Sequence, residues 1–107
     1  MEIFRTETFK RAIKRLKAAE ADLAALERMI ADDPTAGDVI IGTGGARKIR
    51  FSMGGKGKRG GGRAIYVAIV TKDRAYLITA YSKADQTDIS EETRKAIRAF
   101  VKDLKGA

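Results

Sequence analysis

The sequence predicts an α+β domain, with an N-terminal helical hairpin packed on a three- to four-stranded antiparallel sheet and a C-terminal helix. Three observations point there. Apolar residues recur at helical spacing over residues 7–32. From Asp38 the apolar period changes to two. After Ser90 the helical period returns. Strands grouped between helices, rather than alternating with them, are the order of an α+β fold. A length of 107 residues predicts one domain spanning 1–107.

The elements follow in order. Ile3 and Phe4 suggest a short strand at the start. Thr6 or Thr8 caps the first helical stretch, which is dense in alanine. Phe9, Ile13 and Leu16 form one apolar triplet, and Leu23, Leu26 and Ile30 form another. The triplets do not share one stripe, which places a break near residues 18–21 and makes the stretch a hairpin. Asp32-Asp33-Pro34 ends it. Arg5, Lys10, Arg11, Lys14, Arg15 and Lys17 read as its wet face.

Residues 39–41 are a short apolar run. In residues 47–51, Ile49 and Phe51 point one way and Lys48 and Arg50 the other. Residues 63–71 are apolar on both faces, as in a central strand, and residues 74–82 are similar. Lys72-Asp73 reads as a tight hairpin link between them. Ser90 caps a last helix through Lys105, with Ile97, Val101 and Leu104 on one side. With all helices on one sheet face, the other face is expected to lie open.

The charge is localised. The chain carries a net +8, and residues 42–63 alone carry +7, with nine of the eleven glycines and no acidic residue. A single-sign patch of this kind points to a polyanionic partner, and nucleic acid is the obvious one. Lys48 and Arg50 on the open face, Tyr81 and Lys83 two apart, and Arg63 at the start of the central strand outline a cleft for single-stranded RNA. Lys56, Lys58 and Arg59 add a basic loop beside it, for which a hairpin tip kept soluble by charge is the rival reading.

Other classes are disfavoured. The absence of cysteine removes disulfides and thiolate metal sites. The absence of histidine removes the commonest neutral-pH base and metal ligand. Asp32, Asp33 and Asp38 are explained by helix termination rather than by a metal, so no metal and no cofactor is expected. The longest apolar run is too short to span a bilayer, and no signal pattern opens the chain, so the expectation is a cytoplasmic protein without membrane contact. Residues 55–60 match G-x-G-x-x-G, but that fingerprint needs a helix after its third glycine, and here Gly61-Gly62 leads into a strand.

Three segments carry a resemblance. A-G-D-V-I-I-G-T-G-G-A-R-K-I-R-F (36–51), G-K-G-K-R-G-G-G-R-A-I-Y (55–66) and A-Y-S-K-A-D-Q-T-D-I-S (80–90) resemble the RelE/HigB type of bacterial toxin, within the RelE/ParE superfamily. The likeness covers nearly the whole chain. It implies a RelE-like fold and the toxin half of a type II toxin–antitoxin module, many members of which cleave mRNA in the ribosomal A site. It implies as partners a cognate antitoxin, expected to be of a helix-turn-helix DNA-binding type, together with the ribosome and mRNA. The family's basic catalytic strand corresponds to Arg47, Lys48 and Arg50. Its loop-end arginine corresponds to Arg63, and its Y-x-K to Tyr81 and Lys83. Relatives that use a histidine or a C-terminal tyrosine for proton transfer differ here, because this chain has no histidine and Tyr81 is its last tyrosine.

These residues suit metal-independent RNA cleavage, in which the 2′-hydroxyl attacks the neighbouring phosphate. Arg50 and Arg63 would hold the phosphorane charge. Lys48, or less favourably Lys83, would be the base. Tyr81 would stack on a nucleobase or donate a proton. Arg47, Lys56, Lys58 and Arg59 would bind RNA. The expected function is a ribosome-dependent mRNA endonuclease that blocks translation. The rivals are a non-catalytic, ParE-like inhibitor of DNA gyrase and a plain RNA-binding module.

Overall fold

The computed structural model describes residues 1–53, 61–86 and 88–106. Lys56, Lys58 and Arg59 lie outside the described residues. The chain runs β1 (Glu2–Arg5), α1 (Glu7–Leu16), α2 (Glu20–Asp32), β2 (Asp38–Val39), β3 (Arg47–Phe51), β4 (Gly62–Ile69), a 3₁₀ turn (Val70–Lys72), β5 (Arg74–Ser82) and α3 (Glu91–Gly106). The strands form one five-stranded sheet in the order β1-β5-β4-β3-β2. It is mixed, because β1 runs parallel to β5 while the other pairs are antiparallel. The expected count of three or four strands missed β1 as a sheet member, since a parallel partner so far along the chain leaves no local turn signal.

The helix ends follow local chemistry. Thr6 is the α1 cap. Its Oγ1 accepts the Phe9 amide at 3.2 Å and donates to the Leu77 carbonyl at 2.8 Å, tying the helix start to β5. Lys17 takes a left-handed conformation (φ 59°) and ends α1, so the break falls just ahead of the predicted one. Asp22 reaches back to the Ala19 amide at 3.2 Å and starts α2. The Ser90 Oγ accepts the Thr93 amide at 3.1 Å and starts α3.

Arg5 does not lie on a wet helix face. It projects from β1 and clamps α2 from below. Its guanidinium donates to Glu27 at 2.8 and 3.0 Å and to Glu20 at 2.7 and 3.2 Å. The two carboxylates stand seven residues apart, two helical turns, and so share one face of α2.

The sheet has helices on both faces, which corrects the expectation of an open one. On one face α1 and α2 bury Phe9, Leu26 and Ile30 against Phe51, Tyr66 and Leu77. On the other, α3 buries Ile97 and Val101 against Ile65, Val67 and Ile78. Tyr76 meets Phe100 edge-on at 6.2 Å. The physical reason is legible in the central strands, which are apolar on both sides and leave a second face that water cannot cover cheaply.

The loop between β2 and β3 is part of this second layer. The Thr43 hydroxyl donates to the Ile40 carbonyl at 2.7 Å and accepts the Ala46 amide at 3.1 Å. Gly42, Gly44 and Gly45 around it all have positive φ, which L side chains rarely adopt. α3 holds the loop from outside, through Arg94 to the Ile41 carbonyl (2.6 Å) and Lys105 to the Gly44 carbonyl (2.7 Å). Gly42, Gly44 and Gly45 therefore serve a backbone bend. The link between β4 and β5 is the 3₁₀ turn closed by a left-handed Asp73, one element longer than the two-residue hairpin expected. No helix among the described residues is long and apolar enough to cross a membrane.

Candidate functional site

The strand register assembles the site. Arg50 of β3 lies opposite Arg63 of β4, and Arg63 lies opposite Tyr81 of β5. Directly opposed residues share a face, so the three form one transverse row. They stand on the α3 side of the sheet, at the end where residues 52–61 connect β3 to β4. Gly62 fixes that end. A Cβ there would lie 2.5 Å from the Phe51 ring, so only glycine lets the ring close over the start of β4, directly before Arg63.

The row is more enclosed than an open sheet face would make it. Arg63 is 8% exposed and Tyr81 7% exposed, while Arg50 is exposed. The Arg63 guanidinium donates to the Gly62 carbonyl at 3.1 Å and has no carboxylate partner among the described residues. The Tyr81 hydroxyl is buried with no hydrogen-bond partner at all among them. Burial pushes its pKa up, the Asp88 charge pushes the same way, and Arg63 opposes them. At neutral pH Tyr81 is therefore a proton donor, not an acceptor.

Lys48 belongs to the same face as Arg50, two residues along β3, and is half-buried. Its ammonium lies 3.8 Å from Asp88. Lys83 lies past the end of β5 in an exposed turn, and its amide bonds the Gly61 carbonyl at 3.4 Å, so it prolongs the ladder without sharing the buried position of Tyr81. Arg47 is not brought to the row. It sits opposite Tyr66 on the α1–α2 face, and its guanidinium donates to the carbonyls of Gly37 (2.8 Å) and Thr35 (3.2 Å). The residue that sequence reasoning missed is Asp88. With Asp85 it is one of two carboxylates shortly before the Ile89-Ser90 cap, and nothing in the sequence places it beside Lys48.

Chemically the row offers two guanidinium groups and a protonated phenol on one sheet face, with no carboxylate bonded to Arg63 or Tyr81 among the described residues. Guanidinium forks bind phosphate oxygens in bidentate fashion, and a phenol supplies a proton or a hydrogen bond. A phosphodiester fits this donor set.

The fold has a known counterpart. The chain is similar to an arginine-to-alanine double mutant of the E. coli toxin RelE in the free state, with a TM-score of 0.52 and 18% identity over 80% of this chain and 86% of that one. At that identity the likeness speaks for the fold. The sequence as a whole matches the family model described as RelE toxin of the RelE/RelB toxin–antitoxin system, over residues 1–107. With helices on both faces of a mixed sheet, a basic row at its end and a family match along its full length, this chain belongs to the RelE family of toxin–antitoxin toxins.

Proposed function

We propose that this toxin is a ribosome-dependent mRNA endonuclease that cleaves by attack of the 2′-hydroxyl on the adjacent phosphate and so stops translation. One observation carries the reading. Among the described residues Arg63 is buried without a counter-charge, opposite a buried Tyr81 hydroxyl without a hydrogen-bond partner. An unpaired buried cation costs several kcal/mol, and an unsatisfied buried hydroxyl costs more on top. A fold keeps both where an outside anion completes them. Scissile phosphate supplies that anion, and its charge grows in the transition state, where fixed donors act most strongly. Arg63 and Arg50 hold the phosphorane oxygens. Tyr81 protonates the leaving 5′-oxygen. Lys48 and Lys83 add cations along the RNA path, and Lys56, Lys58 and Arg59, outside the described residues, are proposed as further RNA contacts.

The ribosome supplies what this small site does not, a fixed and splayed mRNA. Positioning of that kind is worth orders of magnitude in rate. An antitoxin partner comes with the family, and a helix-turn-helix DNA-binding type is the form proposed for it. The test is cell-free translation with added toxin, followed by primer extension on the message. Discrete cuts that appear only on translated mRNA are expected. Intact mRNA together with loss of DNA supercoiling would replace this reading with gyrase inhibition.

A further inference from the structure

Strand cleavage by a 2′-hydroxyl needs a proton acceptor, and the row provides none. Arg50 and Arg63 are permanent donors. Tyr81 keeps its proton, for the burial and charge reasons given above. Lys48 is an ammonium ion-paired with a carboxylate. The chain contains no histidine. Among the described residues two carboxylates come to this place, Asp38 of β2 opposite Lys48 and Asp88 itself, and it is the Asp88 charge that is felt at the Tyr81 hydroxyl.

The geometry of Asp88 is that of a held base. Its Oδ1 accepts the Ile89 amide at 2.8 Å and lies 3.8 Å from the Lys48 ammonium. The Gln86 side chain donates to its backbone carbonyl at 3.0 Å, which steadies the turn. The second oxygen, Oδ2, has no donor among the described residues. The side chain is 56% exposed, so a substrate can reach it. It opens into a cavity of about 350 Å³ that it shares with Asp38 of β2, Lys48 of β3 and Arg94 of α3, with Ile41 on the rim. Ligand pockets begin at about 300 Å³, so one nucleotide unit is of the right scale. The row adjoins this cavity through Lys48, which shares its strand face with Arg50, and the Asp88 charge is felt at the Tyr81 hydroxyl.

We propose that Asp88 is the catalytic base, taking the proton of the attacking 2′-hydroxyl on its Oδ2. The inference rests on the RNA-cleavage reading above. The step balances. The O2′–H proton passes to Asp88, the O2′ lone pair forms a bond to phosphorus, the P–O5′ bond breaks, and O5′ takes the Tyr81 proton. The products are a 2′,3′-cyclic phosphate and a 5′-hydroxyl. Exchange with water then returns Asp88 and Tyr81 to their starting forms. Lys48 holds the carboxylate in place from the side of the phosphate.

Single-turnover cleavage on mRNA-programmed ribosomes tests this with wild type, Asp88→Asn and Asp88→Glu. Asn keeps an oxygen for the Ile89 amide but loses the basic site, and Glu keeps the base. Asp88→Asn is expected to slow cleavage by about 10²–10⁴-fold, the usual worth of a positioned base, with ribosome binding unchanged and Asp88→Glu recovering much of the loss. Its residual rate should climb about tenfold per pH unit as hydroxide replaces the base, while wild type stays flat over the neutral range. An Asp88→Asn rate within about threefold of wild type overturns the assignment. So does a slowed variant that keeps the wild-type pH profile, which would make Asp88 a positioning residue for Lys48. Failure of the endonuclease reading itself is seen separately, as a wild-type protein that leaves ribosome-bound mRNA intact.

Discussion

Two arginine–tyrosine pairs face each other across strands in this sheet, and they have opposite fates. Arg47 of β3 opposes Tyr66 of β4, and Arg63 of β4 opposes Tyr81 of β5. In the first pair every side-chain donor of note has a protein partner. The Tyr66 hydroxyl donates to the Pro34 carbonyl at 2.8 Å and accepts the Gly37 amide at 3.1 Å, while Arg47 binds the carbonyls of Thr35 and Gly37. Together they pin the turn that leads from α2 into β2. In the second pair, among the described residues, the hydroxyl has no partner and the guanidinium has one carbonyl. The same two residue types build structure on one face and, on the other, form the site proposed to take a phosphodiester. Residue type does not separate them; satisfaction of their hydrogen bonds does.

The comparison breaks most sharply at Arg63. Arg63→Met keeps the apolar stem and removes the charge. Cleavage on ribosomes is expected to fall about 10²–10³-fold, the usual loss for a donor aimed at developing charge. Folding stability in urea should hold or rise, because an uncompensated buried cation is gone. A stability loss with intact cleavage would mean that Arg63 is structural and that the contrast is false.

The tyrosines give the next effect, measured as stability. Tyr66→Phe orphans the Gly37 amide and the Pro34 carbonyl and should cost about 1–3 kcal/mol in urea unfolding. Tyr81→Phe removes a hydroxyl that has no partner among the described residues, so its stability should match wild type or exceed it. Its cleavage rate should drop if the hydroxyl protonates the leaving group, and equal costs for the two substitutions would erase the distinction.

The smallest effect concerns the Arg5 clamp, which sharpens the contrast by adding a third fate, an arginine spent on carboxylates. The hydrogen bond from Arg5 lowers the Glu20 pKa, with its charge adding to the shift, and the hydrogen bonds that Arg5 donates to Glu27 first and then to Glu20 raise its own. A depressed carboxylate contributes stability above its unfolded pKa, near 4.5, and loses it as the pH falls through the lower folded value. Glu20 is exposed, so water and salt screen the effect. Thermal melts of wild type and Arg5→Ala should therefore differ modestly at neutral pH and converge in acid. A gap that persists in acid would assign Arg5 to packing rather than charge.

Much of this was legible in the chain itself. Helical and two-residue periods located α1, α2, β3, β4, β5 and α3, because each element buries an apolar face whose spacing is local. Alternation placed Ile49 and Phe51 inward with Lys48 and Arg50 opposite, as the structure has them. The family motifs picked out Arg50, Arg63 and Tyr81, which the register then set in one row. What the chain could not disclose depends on contacts between distant segments. β1 finds β5 across some seventy residues, and Arg5 finds α2 from beneath. α3 covers the face that seemed open, so Arg63 and Tyr81 are buried rather than displayed. Arg47 turns to the far face, and Asp88 arrives beside Lys48 from a loop forty residues away. Local pattern determines which residues must leave water. Only the packed tertiary structure decides which polar groups find partners there, because a hydrogen bond or ion pair depends on a few ångströms between segments that the sequence holds far apart.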